Sequence, residues 1–309
     1  MQYLLLLLGF VLLIFSGRLL ITCSISIARR LNLSPFVIGL TIVAIGTSAP
    51  ELLVSLTGAL KGHTDLAIYN IVGSNISNVL LVLALAVIIL PIPVQLKTLK
   101  FDGSVLLIFS LAFWFFIRDM QLSALEGGTI FFLLAIYVIA SLYRSRKDSK
   151  DDLTEDSTGM KSWMALLGVV AASGGLALGA NLLVENAILV AKAFGLSERI
   201  ISVSMIAVGT SIPELTTSAI AAFRKQTDIS IGNIIGSNIF NIGFVLGITT
   251  MIKPLDVNPL ILSFDIFWFV GVSLLLVVMI IVPPTLKLAR WKGVLMLSLY
   301  LIYLYLILN

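Results

Sequence analysis

The chain has 309 residues, of which 59% are hydrophobic and 12% charged, and its mean hydropathy is +1.10. A soluble domain is nearer half apolar and a quarter charged, so this composition excludes an ordinary globular protein and points to lipid as the solvent. The net charge of +4 lies in loops rather than on a dense basic face, which argues against nucleic acid as a partner, and one cysteine with one histidine excludes an internal disulfide and a cysteine metal cluster.

A helix crossing the roughly 30 Å hydrocarbon core needs about 20 mostly apolar residues. Ten such stretches are expected, near Leu4–Ala28, Phe36–Leu60, Leu66–Leu90, Ser104–Ile117, Ala124–Leu142, Met164–Ala193, Ile200–Phe223, Ile229–Ile252, Leu260–Val282 and Trp291–Leu308. The first, "MQYLLLLLGFVLLIF", has no basic n-region and no small-residue cleavage site, so it reads as a retained span. With ten spans, alternate loops hold fourteen and five Lys or Arg residues, and Arg18 lies within the first span. The positive side is cytoplasmic by the usual bias, which places both termini outside and the central loop inside a multi-pass cell-membrane protein. That loop, residues 144–161, mixes both signs of charge and reads as a solvated linker between units at 1–143 and 162–309.

The chain is written twice. A shift of 163 residues lays "AIGTSAPE" (Ala44–Glu51) on "AVGTSIPE" (Ala207–Glu214) and "NIVGSNISN" (Asn70–Asn78) on "NIIGSNIFN" (Asn233–Asn241). Lys61 then meets Arg224, Asp65 meets Asp228 and Asp102 meets Asp265, without a gap. Five spans per copy force the second copy into the membrane upside down. The expected fold is therefore an all-α polytopic membrane protein of ten helices in two inverted five-helix repeats. Such repeats recur in secondary transporters, whose sites form near the midplane at interrupted helices.

The interruptions here are the two "GTSxPE" segments. Pro50 and Pro213 have no N–H, so the carbonyls of Gly46 and Gly209 lose their helical partners. A loosened backbone inside the bilayer is tolerated where protein buries it or where it lines a polar cavity, and its freed carbonyls can face an ion. Thr47 and Ser48 share a helical face with Glu51, as Thr210 and Ser211 do with Glu214. Ser74 and Asn78 are four apart, as are Ser237 and Asn241, while Gly73 and Gly236 are expected to admit neighbouring helices. The set is all oxygen: two carboxylates, hydroxyls, amides and carbonyls. Hard cations such as Ca²⁺ choose such ligands, whereas zinc or copper normally recruit His or Cys. A lone intramembrane glutamate beside a proline could be a structural kink, but a matched pair in inverted copies points to one shared site.

At these residues the chain resembles the cation/calcium exchanger superfamily, most closely its prokaryotic sodium/calcium exchanger-like branch. The resemblance covers nearly the full length and rests on "GTSAPE" with "GSNISN" and "GTSIPE" with "GSNIFN". It implies ten helices, a central cluster of cation sites, and alternating access in which the first and sixth spans slide against a central bundle. Carried over by motif position, the ligands would be Thr47, Ser48, Glu51, Ser74 and Asn78, with Thr210, Ser211, Glu214, Ser237 and Asn241, and the carbonyls of Ala44 and Ala207. Two departures are visible. Some members carry Asp where this chain has Asn241, so the site holds only two formal negative charges, which bears on stoichiometry and on the coupling ion. Tyr69 stands where the second repeat has Gly232, and it either narrows the approach to the site on one side or, the favoured reading, sits at the membrane interface, where Tyr is common.

The expected activity is Na⁺/Ca²⁺ antiport by a monomer, with Ca²⁺ and Na⁺ as transported ions, the bilayer as partner and no cofactor. Proton coupling or potassium involvement is the alternative. A channel fits less well, because the site suits occlusion, and an intramembrane hydrolase would need a histidine beside Ser48 or Ser211. Asp65 and Asp228 are expected to cap the helices they precede, His63 reads as a solvated loop residue and Cys23 as packing. Arg18 and Glu185, both within apolar spans, either snorkel or pair.

Overall fold

Apolar runs of this length satisfy their own backbone only as helices, and helices are what the computed structural model contains; it describes residues 1–94, 99–148, 160–193, 209–281 and 286–308. In chain order they are α1 (Gln2–Arg30), α2 (Pro35–Thr47), α3 (Ala49–Leu60), α4 (Thr64–Ile89), α5 (Lys100–Asp119) and α6 (Ala124–Asp148). Then follow α7 (Ser162–Ala193), α8 (Ile212–Phe223), α9 (Thr227–Ile252), α10 (Ile261–Ile281) and α11 (Arg290–Leu308). Among the described residues eight helices are long and apolar enough to cross a membrane, and nine if the bent pair α2–α3 is one span. The expected seventh span, Ile200–Phe223, is described only from Gly209 onward, and the central linker lies outside the described residues at 149–159. Its first residues, expected as loop from Arg144, continue α6 as far as Asp148.

α4 and α9 form the centre. Of their apolar stretches 78% and 89% is buried, against 28–39% for the other continuous spans. Both carry a wide π-helical turn at the same place, Asn78–Leu83 and Asn241–Leu246, a local loosening frequent at functional sites. A large apolar core surrounds this pair, and a second, separate core joins α1 and α7 through Leu13, Leu20, Val169 and Leu176. α1 and α7 cross closely because both lack a side chain at the crossing. A Cβ on Gly9 would stand 2.9 Å from the Gly179 carbonyl, and one on Gly179 would stand 3.0 Å from the Gly9 carbonyl.

α2 and α3 are bent by 43° at Ser48, whose φ of −85° and ψ of 3° leave the helical range. Ser211 has nearly the same conformation, φ −84° and ψ 3°, ahead of α8. Pro50 and Pro213 lie just inside the half-helices that follow, where a missing N–H costs nothing and the fixed φ is already helical.

Some expectations need correction. Gly236 does admit a neighbour, since any Cβ there would collide with the Leu40 carbonyl, but nothing among the described residues comes within 4 Å of a Cβ at Gly73. The counterpart of Leu40, Val203, lies outside the described residues. Asp65 and Asp228 are not caps. His63 and Gln226 hold those positions and the aspartates sit in the first turn, where an anion still suits the helix dipole. Two short antiparallel ladders also join the halves, β1 (Ile92–Pro93) with β4 (Lys287–Leu288) and β2 (Gln121–Leu122) with β3 (Leu255–Asp256). Cys23 is buried packing, with its sulfur 4.0 Å from that of Met160, and His63 is exposed. Tyr69 is half-buried against the main core.

Candidate cation site

The break at Ser48 ends one helix and starts another, so Glu51 falls in the first turn of α3 and Glu214 in the first turn of α8. Each carboxylate thereby meets the positive end of a helix dipole. Both are fully buried, as are Thr47, Ser48, Asn78, Ser237 and Asn241. Ser74 and Ser211 are 1% exposed, and Thr210 is half-buried. The expected residues therefore come together, drawn from α2, α3, α4, α8 and α9. Ala207 lies outside the described residues.

The contacts cross between the halves. Thr47 Oγ1 lies 3.3 Å from Ser237 Oγ, and its counterpart Thr210 Oγ1 lies 2.9 Å from Ser74 Oγ. Thr47 Oγ1 also lies 3.2 Å from Asn233 Oδ1. Ser48 and Ser237 both point their hydroxyls at Glu214 Oε1, each at 3.5 Å, the outer limit of a hydrogen bond. The Ala44 carbonyl, expected to be free, already accepts from the Ser48 N–H at 2.9 Å and lies 3.3 Å from Thr47 Oγ1.

Four asparagines fix the centre. Asn75 Nδ2 donates to the Asn238 carbonyl at 3.1 Å and Asn238 Nδ2 donates to the Asn75 carbonyl at 3.4 Å. Asn78 Nδ2 donates to Asn238 Oδ1 at 3.1 Å, and Asn241 Nδ2 donates to Asn75 Oδ1 at 2.9 Å. With their amide nitrogens held, Asn78 and Asn241 leave Oδ1 without a partner. Beneath each glutamate a further amide braces the half-helix. Asn70 Nδ2 donates to Ser55 Oγ at 2.9 Å and to the Glu51 carbonyl at 3.3 Å, and Asn233 Nδ2 donates to Ser218 Oγ at 3.0 Å. These supporting residues, Asn70, Asn75, Asn233 and Asn238 above all, escaped the sequence reading as site residues. Their doubling at the 163-residue offset was the signal available.

Among the described residues, six buried oxygens of this cluster have no hydrogen-bond partner: both Oε of Glu51, Oε2 of Glu214, Oδ1 of Asn78 and of Asn241, and Oγ of Ser211. An unsatisfied buried acceptor costs about 1–3 kcal/mol, and more if charged. No group of three or more His, Cys, Asp or Glu side chains occurs among the described residues, so the charge at this site is that of two carboxylates. Arg18 and Glu185 are both exposed and are not joined by an ion pair.

Residues 1–143 and 164–309 match the family described as sodium/calcium exchanger protein. Over 308 residues the chain is 37% identical to a protein of Alkalimonas amylolytica named putative antiporter CaxA, covering 97% of each. It is 31% identical over 342 residues to the sodium/calcium exchanger MaX1 of Methanosarcina acetivorans, covering 98% of this chain and 97% of the relative. A solved structure of the sodium-calcium exchanger NCX_Mj superposes with a TM-score of 0.83 at 32% identity, covering 98% of this chain and 97% of that one.

Proposed function

The chain belongs to the sodium/calcium exchanger protein family and is a membrane cation/Ca²⁺ antiporter, and on that premise we propose that it exchanges Na⁺ for Ca²⁺ at the Glu51–Glu214 cluster by alternating access. The observation that carries this reading is the six unpartnered buried oxygens contributed by both halves. One Ca²⁺ neutralises two glutamates, and so do two Na⁺, so the ions compete for one pair of charges. Without either, two carboxylates stand fully buried and uncompensated. Closing such a site is costly, which ties each change of side to a bound ion. The ligands are Thr47, Ser48, Glu51, Ser74 and Asn78 with Thr210, Ser211, Glu214, Ser237 and Asn241, joined by the carbonyls of Ala44 and Ala207.

The proposed architecture is ten spans in two inverted repeats, residues 1–143 and 162–309, with the linker cytoplasmic, both termini outside and a single chain as the working unit. The reciprocal Asn75–Asn238 bonds support the twofold relation. The ladders agree with it, since the offset carries Ile92 of β1 onto Leu255 of β3, and their partners, Leu288 of β4 and Leu122 of β2, correspond at a spacing three residues longer.

A second reading of the driving ion rests on Asn78 and Asn241. With amides at both places the site has two formal charges, which two protons balance as well as two Na⁺, and K⁺ could share the same oxygens. Radiolabelled Ca²⁺ uptake into proteoliposomes separates them. Uptake that requires internal Na⁺ supports Na⁺ coupling, a pH gradient sufficing alone establishes proton coupling, and a requirement for K⁺ establishes its involvement.

A further inference from the structure

The 163-residue correspondence extends without a gap into the long helices: Gly17-Arg18-Leu19-Leu20-Ile21-Thr22 of α1 lies opposite Ala180-Asn181-Leu182-Leu183-Val184-Glu185 of α7. Packing follows it to within one residue, since Leu20 lies against Gly46, and Val184, the neighbour of Leu20's counterpart Leu183, lies against Gly209, the counterpart of Gly46.

The two halves are nevertheless arranged differently. α1 lies close on α8. Ile220 Cδ1 would be 2.8 Å from a Cβ at Gly17 and Thr216 Cγ2 3.3 Å, and Thr217 is fully buried. The counterparts of Thr216 and Thr217 on α3 are Leu53 and Val54, which are 62% and 40% exposed. α7 therefore leaves uncovered on α3 the face that α1 covers on α8. At the end of the covered face Arg224 Nη1 donates to Thr22 Oγ1 at 3.1 Å. The images of these residues are Lys61 and Glu185. Both are exposed, and no ion pair joins them.

In an inverted repeat that alternates, the arrangement of one half in one state is taken by the other half in the opposite state. We propose that Lys61 and Glu185 form an ion pair that closes the Lys61 side when α7 moves onto α3, replacing the Arg224–Thr22 contact that holds the other side shut. The inference rests on the alternating-access reading. It gives Glu185, a carboxylate within an apolar span, a positioning role outside the cation site. It also makes the two latches unlike: a guanidinium on a neutral hydroxyl at one face, an ammonium on a carboxylate at the other.

Cross-linking tests this in the full chain with Cys23→Ala as background. The pair Lys61→Cys/Glu185→Cys and the pair Thr22→Cys/Arg224→Cys are each bridged in proteoliposomes by a bifunctional methanethiosulfonate long enough to replace the lost side chains, and Ca²⁺ exchange is read before and after reduction. Each contact is made by the tip of a long side chain, which a direct disulfide would not span. Each pair is expected to be bridged by the reagent and so to stop exchange, with activity returning on reduction. Separately, Lys61→Glu should slow exchange, and the swap Lys61→Glu/Glu185→Lys should restore it. The latch is overturned if the 61/185 pair stays unlinked while linkage of the 22/224 pair stops exchange, and also if the charge swap fails to rescue. If linking the 22/224 pair leaves exchange intact, the alternating-access reading itself fails, and the latch with it.

Discussion

Asn75 and Asn238 each donate a side-chain amide hydrogen to the other's backbone carbonyl, at 3.1 and 3.4 Å, so the two central helices are tied to each other at equivalent residues. The same two side chains accept from Asn241 and Asn78. One pair of residues thereby sets the spacing of α4 and α9 and aims the oxygens of Asn78 and Asn241.

Replacing Asn238 with Ala removes an acceptor for Asn78 Nδ2 and a donor to Asn75 at once. Leaving a buried partner unsatisfied costs about 1–3 kcal/mol. Asn238→Ala is expected to lower thermal stability in detergent and to weaken Ca²⁺ exchange. Unchanged Ca²⁺ dependence in a well-folded variant would mean the asparagine quartet does not position the site.

Gly236 lies where α9 meets the Leu40 backbone, whereas nothing among the described residues comes within 4 Å of a Cβ at Gly271. Overpacking costs typically about 1–3 kcal/mol, and here the obstacle is backbone, which cannot rotate away. Gly236→Ala should therefore reduce stability and transport, and Gly271→Ala should leave both near the unmodified level. Melting temperatures of the two purified variants, measured side by side, check the contrast.

Ser110 and Ser273, another pair at the 163-residue offset, face each other at 3.0 Å between α5 and α10. Each hydroxyl also has a backbone acceptor in its own helix. Hydrogen bonds between membrane helices average only about 0.6 kcal/mol. Ser110→Ala is expected to cost no more than that and to leave Ca²⁺ transport unchanged, as read by unfolding midpoints and by uptake.

Much of the site was legible because its physics is local. A proline beside a glutamate inside an apolar run has few stable explanations, and its exact doubling made a shared site the simplest one. What stayed hidden depends on tertiary placement. Asn75 looks like any polar residue in "GSNIS" until Asn238 stands opposite it. Gly73 and Gly236 are equivalent in sequence, yet only Gly236 meets a described neighbour. The ladders escaped because two-residue strands carry no periodicity to read. An acid at a helix start suits both the cap and the first turn, so the sequence alone does not distinguish the two places for Asp65. Arg18 and Glu185 fall within apolar spans of the sequence, yet both side chains are exposed on α1 and α7.

The central claim is that glutamates from both halves make one site. It is tested most directly by Na⁺-driven Ca²⁺ uptake in proteoliposomes containing the unmodified chain, Glu51→Gln or Glu214→Gln, each verified as folded. The account predicts loss of uptake in both variants, because either substitution leaves a single charge where a divalent ion needs two. Uptake retained at the unmodified level by either variant would contradict it.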